Sequence, residues 1–210
     1  MKQKIGKVKT FLLNLTDALH EYLPNNWEKE GLPNPRMLRR YSWGNGGLCI
    51  QTTVTGFPSC NLYLSYGVSH QCLTPILDKI SLANGWTPIH TVNQFRTDTR
   101  ICSLNPEIRT VFVEDYNFCD HKKAILELME NSLEILLAYF ERFSDIKEIR
   151  DSLVNREQCI LGLGVAENIV AIDFVLEDFE HLKWYSQNIA NEYEIKQIEK
   201  TIEILDIKLG

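Results

Sequence analysis

Hydrophobic periodicity changes twice along this chain of 210 residues, and the change limits the folds that the chain can adopt. Apolar residues recur at helical spacing between Val8 and Leu23, and Pro24 then ends the pattern. Short β-like runs follow from about residue 37 to 113, and helical patterns return from Ala124 onward. Strands segregated from helices in this way are typical of an α+β fold with a mainly antiparallel sheet.

The β-like region contains four predicted strands and one inserted helix. Gly44-Asn45-Gly46-Gly47 predicts a hairpin turn before the first strand, because glycine and asparagine tolerate positive φ. The helix is predicted over Cys72–Asn84, where Gly85 ends it. The predicted strands are Leu48–Val54, Asn61–Val68, Ile89–Phe95 and Ile108–Val113.

The C-terminal part predicts a group of about four helices, which with the N-terminal amphipathic helix flanks the sheet. The second of these helices starts at Ser144, where Asp145 and Glu148 have the spacing of a capping box. The other three are predicted over Ala124–Phe143, Asn168–Ile189 and Glu194–Lys208. We expect one domain over residues 1–210; the alternative is a sheet subdomain, 1–115, and a helical subdomain, 116–210.

The formal net charge of −6 is unevenly distributed along the chain. Residues 1–40 carry 8 basic and 4 acidic side chains, whereas residues 116–210 carry 10 and 19, a net charge of −9. A nucleic-acid-binding protein needs a concentrated basic surface, so nucleic acid is an unlikely partner. The acidic helical part is instead suited to a basic protein partner, although it also fits a solvated surface that keeps the chain dissolved.

Six cysteines are an even number, but their context favours reduced thiols in the cytoplasm over a disulfide framework. The apolar run Phe11-Leu12-Leu13 is too short for a signal-peptide core and is soon followed by polar residues. No stretch of the sequence approaches the roughly 18 apolar residues that cross a bilayer. We therefore expect a cytoplasmic protein without a membrane span.

Two Cys/His pairs are the candidate metal ligands. His70 with Cys72 and Cys119 with His121 each place a thiol and an imidazole two residues apart, on one face of an extended chain. Together they would complete a Cys2His2 zinc site, although structural zinc sites usually separate paired ligands by two to four residues. We predict no cofactor, and zinc at these four residues is the alternative.

Cys72 is also the candidate catalytic nucleophile. Its position at a predicted helix N-terminus would lower the pKa of the thiol. The base would then be His121 or His90, and Asp120 or Asp98 would orient the imidazole. No local sequence signature supports this arrangement.

Two Asp-x-x-His pairs have helical spacing and resemble half-sites of a dinuclear metal centre in a helix bundle. Such centres normally use Glu rather than Asp, and the carboxylates near Lys183 fit an exposed helical face better. The residues concerned are Asp17, His20, Asp173, Glu177, Asp178 and His181.

Residues 96–100 alternate charged and threonine side chains. In an extended chain Arg96, Asp98 and Arg100 share one face, which forms either an exposed ionic ladder or a clamp for an anion. Aromatic residues combined with this arginine pair have the composition of a protein-binding hot spot, and equally that of a sheet core. The aromatic residues are Trp43, Tyr63, Tyr66 and Trp86.

The layout as a whole is similar to that of bacterial toxin-immunity proteins and accessory proteins of mobile elements, and the resemblance is one of architecture. We predict a non-enzymatic interaction or accessory protein of the bacterial cytoplasm, of the immunity type, that uses an acidic or aromatic surface to hold another protein. A homo-oligomer is a further option. The candidate binding residues are Arg96, Arg100, Trp43, Trp86, Glu177 and Glu180. The alternative is a small metal- or thiol-dependent hydrolase centred on the Cys/His residues.

Overall fold

The computed structural model describes residues 2–30, 36–56, 59–86, 99–100, 111–157 and 164–208. Within them, an N-terminal helix precedes an antiparallel sheet, and a group of helices follows, so the predicted α+β class is confirmed. The helices are α1 (Lys2–Tyr22), α2 (Thr74–Ala83), α3 (Phe118–Arg142), α4 (Ile146–Val154), α5 (Val165–Leu176), α6 (Phe179–Asn188) and α7 (Glu192–Leu205). The strands are β1 (Trp27–Glu30), β2 (Arg36–Tyr41), β3 (Gly44–Gly56), β4 (Ser59–His70), β5 (Thr99–Arg100) and β6 (Val111–Val113).

The chain forms two compact units, and each is built from two separate stretches of sequence. Met1–Gly67 and Thr99–Phe140 make up the first, which we call the sheet unit. Val68–Asp98 and Glu141–Gly210 make up the second, which we call the helical unit. The sequence-based choice between one domain and two subdomains that meet near residue 115 stays a prediction.

The sheet has the strand order β1-β2-β3-β4-β5, and β6 also pairs with β4. β2 and β3 form the predicted hairpin, but Tyr41 pairs with Gly44, so the turn consists of Ser42 and Trp43. The glycine-rich run predicted to be the turn lies inside β3 instead. Close packing explains why glycine occupies position 46 of this strand, because a Cβ atom there would lie only 2.5 Å from the ring of Phe140.

Aromatic side chains fill much of the core of the sheet unit. Phe11 on α1 meets Tyr116 edge to face at a centroid distance of 5.7 Å, as the amphipathic pattern of α1 predicts. Trp27 and Phe140 are both buried, with ring centroids 6.0 Å apart. Edge-to-face contacts of this kind add to the free energy gained from the buried area alone.

α5 is the central helix of the helical unit. It packs against α2, α4, α6 and α7, and eight consecutive residues from Ala166 to Asp173 are buried. A helix surrounded on so many sides buries residues all around its axis, which explains why most of its sequence is apolar.

The single helix predicted over Asn168–Ile189 is wrong, because the structure has two helices, α5 and α6, in this region. α5 ends at Glu177, which adopts left-handed backbone angles with φ of 55°. Asp178 then begins α6, because its carboxylate accepts a hydrogen bond from the backbone N–H of His181. Neither glycine nor proline marks the break between α5 and α6 in the sequence. The helical spacing of apolar residues therefore continues through the break and predicts a single helix.

α7 begins with a complete capping box, in which Asn191 and Glu194 exchange side-chain and backbone hydrogen bonds of 3.0 Å. The same Glu194 carboxylate accepts two hydrogen bonds from Arg156, at 2.5 and 2.7 Å. Tyr185 is buried beside this pair, and burial raises the pKa of its hydroxyl to about 12.

No helix in the described ranges is long and apolar enough to cross a membrane.

Candidate functional site

The helical unit combines a strong negative charge with exposed apolar side chains. It carries 10 basic and 17 acidic residues, a net charge of −7, whereas the sheet unit has a net charge of +1. Seven large apolar side chains are exposed in the described ranges, and five of them belong to the helical unit. These five are Leu82, Trp86, Trp184, Ile189 and Tyr193.

One face of α6 brings charge and an aromatic ring together. We call Glu180, His181 and Trp184 the α6 face, because residues three and four apart lie side by side on a helix. The side chain of Glu180 is exposed and lies 3.4 Å from Lys183, and Trp184 is 45% exposed. The rings of His181 and Trp184 are in contact, with centroids 5.5 Å apart and planes tilted by 41°.

Beneath this face, a buried carboxylate holds the imidazole of His181. Oδ2 of Asp173 lies 2.7 Å from Nδ1 of His181, and the side chain of Asp173 is completely buried. The break between α5 and α6 creates this contact, since residues eight apart on one continuous helix would not meet. Burial raises the pKa of Asp173, against the hydrogen bonds from His181 and Arg150, which lower it.

Arg150 on α4 joins both carboxylates at this break. Its Nη1 atom donates to Oδ1 of Asp173 at 2.9 Å and to Oδ2 of Asp178 at 2.8 Å. Burial alone would lower the pKa of Arg150, but the hydrogen bonds to the two carboxylates raise it. The hydrogen bond from Arg150 also lowers the pKa of Asp178, whose side chain is partly exposed. One guanidinium therefore connects three helices.

The tautomer of His181 follows from its partner. Because a carboxylate only accepts hydrogen bonds, Nδ1 carries the proton in the neutral imidazole, and Nε2 is then the basic nitrogen. Within the described ranges, Nε2 has no hydrogen-bond partner.

Of the predicted Cys/His ligands, His70 and Cys72 belong to the helical unit, and Cys119 and His121 belong to the sheet unit. Cys72 is exposed in the turn before α2, two residues ahead of the first helical residue, and His70 is buried with Nε2 2.7 Å from the carbonyl oxygen of Phe143. Cys119 is exposed in the first turn of α3, and His121 accepts a hydrogen bond from the backbone N–H of Glu114 at 3.2 Å. No group of three metal-ligating side chains occurs in the described ranges.

The predicted binding residues divide between the two units. Trp43 belongs to the sheet unit and stacks on Tyr41 with centroids 4.8 Å apart, whereas Trp86 belongs to the helical unit and is exposed. Glu177 and Glu180 are both exposed near the start of α6. Of the two predicted arginines, Arg100 lies in β5 opposite Ser65. Arg96 lies outside the described residues, as do His90, Asp98 and the strand predicted over Ile89–Phe95.

Sequence reasoning missed the pairing of Asp173 with His181 and the exposed Trp184. A signal for the first was present, since Asp173 interrupts the apolar run from Ile169 to Val175, and a buried carboxylate needs a partner. For Trp184, the signal is its position in the helix: Leu182 and Tyr185 are on the buried side of α6, and Trp184 does not share the helical spacing of that side. A tryptophan off the buried stripe of a helix faces solvent.

Comparisons of the chain with protein-family models, curated proteins and solved structures found no significant match.

Proposed function

We propose that this chain is a non-enzymatic interaction protein of the cytoplasm, and that its helical unit holds a basic protein partner. The observation that carries the proposal is the exposed Trp184 on the α6 face, within a unit whose net charge is −7. Tryptophan is one of the side chains enriched at the centres of protein interfaces, because its large ring buries much area in a fixed geometry.

The charge of the helical unit selects the chemistry of the partner. A surface of one sign attracts partners of the opposite sign over a Debye length, about 8 Å at physiological salt. It also rejects partners of like charge, and so it speeds encounter and adds specificity. A basic segment that places an arginine against Trp184 would gain a cation–π contact as well as the attraction of Glu180.

The exposed thiols of Cys72 and Cys119 are in keeping with the reducing cytoplasm in which this proposal places the protein.

The rival hypothesis, a hydrolase centred on the Cys/His residues, needs side chains that converge on one substrate. The described geometry gives that hypothesis no assembled site, and it stays an untested alternative.

The test is capture by the full-length protein in cells that naturally express it. Chemical cross-linking in the cell would be followed by purification and mass spectrometry of the attached proteins. Trp184→Ala removes the exposed ring. Tyr22→Ala is the matched control, because Tyr22 is an aromatic residue of the sheet unit with 38% exposure. Glu177→Lys combined with Glu180→Lys reverses the charge near the start of α6.

We expect a basic protein that cross-links to the wild type and to Tyr22→Ala alike. Its recovery should fall about tenfold or more with Trp184→Ala, the usual effect of removing an interface hot spot. The charge-reversed protein should also recover less of it. The proposal fails if no protein is enriched, or if Trp184→Ala and the charge reversal recover the same proteins as the wild type.

A further inference from the structure

We propose that the α6 face recognises one arginine side chain of the partner and prefers arginine to lysine. The guanidinium stacks on the indole of Trp184 and donates hydrogen bonds to the carboxylate of Glu180. The inference rests on the proposed function and names the side chain that this surface recognises. Two features of the helical unit carry it, namely an indole that is supported from one side and an exposed carboxylate one helical turn away.

The imidazole of His181 supports the indole of Trp184 from one side. The two ring centroids lie 5.5 Å apart, and the ring planes are tilted by 41°. The imidazole is itself held by the hydrogen bond of 2.7 Å to Asp173, whose side chain is completely buried. Trp184 nevertheless stays 45% exposed, so the supported ring still presents surface to a partner. A ring whose orientation is already set loses less conformational entropy on binding.

Glu180 places a carboxylate beside this ring. Both residues belong to α6, and residues four apart on a helix are neighbours, with Cβ atoms about 6 Å apart. The side chain of Glu180 is 89% exposed, and its ion pair with Lys183, at 3.4 Å, contributes little because water screens it. A guanidinium that stacks on the indole can therefore take over this carboxylate as its own partner.

An aromatic ring combined with a carboxylate distinguishes arginine from lysine. A guanidinium is planar and weakly hydrated, so it stacks on an aromatic face while its N–H groups point outward in the plane of the group. An ammonium group is a compact and strongly hydrated charge, which Glu180 attracts equally well but which gains less from the ring. The net charge of the helical unit, by contrast, attracts arginine and lysine alike.

Trp86 provides a matched control within the same unit. It is 47% exposed, close to the 45% of Trp184, and it follows the end of α2. The residue four positions before Trp86 is Leu82, an exposed apolar side chain, whereas the residue four positions before Trp184 is Glu180. The two tryptophans thus offer rings of similar exposure but differ in this neighbour.

The experiment compares two probes at a single pH, an acetylated and amidated peptide of alternating arginine and alanine and its lysine counterpart of the same length. At about pH 7.5 both peptides are fully charged, and the protein has a formal net charge of −6. Isothermal titration calorimetry would give both Kd values for the full-length wild type, Trp184→Ala, Trp86→Ala and Glu180→Gln. Because the peptides carry equal charge, the ratio of the two Kd values removes the attraction between net charges.

We expect the wild type and Trp86→Ala to bind the arginine peptide about three- to tenfold more tightly than the lysine peptide, as a cation–π contact near the surface allows. For Trp184→Ala the two Kd values should agree within about twofold. Glu180→Gln keeps the ring but loses the carboxylate, so its preference for arginine should be smaller than that of the wild type.

Three results would overturn the arginine preference and leave the proposed function standing. They are equal Kd values for the wild type, a preference that Trp184→Ala retains in full, and a preference that Trp86→Ala removes as completely as Trp184→Ala does. If the wild type binds neither peptide, the proposed function itself is wrong, because its acidic surface then fails to attract a basic segment.

Discussion

Nδ1 of His181 and Oδ2 of Asp173 lie 2.7 Å apart, and the same buried carboxylate also accepts a hydrogen bond from Arg150. One side chain of α5 thus holds both α4 and α6. We expect Asp173→Ala to lower the free energy of unfolding by about 3–5 kcal/mol, because it deprives a largely buried guanidinium of the one carboxylate partner that is completely buried. Urea unfolding followed by circular dichroism measures this loss.

Asp178→Ala is the matched control for that experiment. Asp178 accepts a hydrogen bond from the same guanidinium and caps α6, but its side chain is 39% exposed. Water can therefore replace part of the hydrogen bonding that the substitution removes. The expected loss is about 1 kcal/mol, the usual value of a helix N-cap. Equal losses for the two variants would show that burial of Asp173 does not set its contribution.

His70 should make the stability of the helical unit depend on pH. Burial lowers the pKa of its imidazole, and the hydrogen bond to Phe143 and the charge of Asp145 oppose this only in part. The unfolded chain therefore binds the proton more readily than the folded one, and stability falls as the pH decreases below about 6.5. Above that value both states are neutral at this position, so His70 adds no pH dependence.

Urea unfolding over a pH series, with His70→Gln as the reference, isolates this contribution. Glutamine can still donate to the Phe143 carbonyl and does not titrate. Relative to the variant, the wild type should lose stability at low pH with a slope of at most about 1.4 kcal/mol per pH unit. If the two curves run parallel from about pH 7.5 to about pH 5, His70 does not contribute to the pH dependence.

Gly46 should tolerate no side chain. A Cβ atom at this position would lie 2.5 Å from the Phe140 ring, closer than atoms in folded proteins approach. Since Phe140 is fully buried, its ring has little freedom to move. Gly46→Ala is therefore expected to destabilise the protein by about 1–3 kcal/mol, as overpacking of a core does.

Gly6→Ala is the control for Gly46→Ala, because a Cβ atom at Gly6 would have no heavy atom within 4 Å. Gly6 lies inside α1, where alanine is the better helix former by about 1 kcal/mol. The two substitutions should thus change the melting temperature in opposite directions, which differential scanning fluorimetry can detect. A similar loss at both positions would contradict the close packing inferred at Gly46.

Periodicity and capping residues predicted most of the helices. The pattern ending at Pro24 gave α1, and Asp145 was placed correctly at the start of α4, where it accepts from the backbone N–H of Lys147. These features are local, since a cap or a helical face is set by neighbours within one or two turns. The capping box predicted there is only half formed, because Glu148 bonds Arg142 instead.

What the sequence did not predict depends on tertiary contacts. Glu177 adopts left-handed backbone angles although glycine is the usual residue there, and the packing of α6 against α5 accompanies this break. A single continuous helix predicts Asp173 and His181 on one exposed face, and this prediction is wrong for the buried Asp173. The glycines of β3 likewise predict a turn, because the ring of Phe140 that Gly46 accommodates comes from a distant part of the sequence.

The helical unit combines α2 (Thr74–Ala83) with α7 (Glu192–Leu205), and the two helices pack together. On the ribosome, α2 emerges long before α5 and α7 have been synthesised. The apolar side of α2 therefore stays without these native neighbours while the residues between them are made, an interval in which chaperones bind such surfaces. The surface that we propose for a partner is thus completed only after α7 has been made, so a nascent chain that lacks this helix has little chance of engaging that partner.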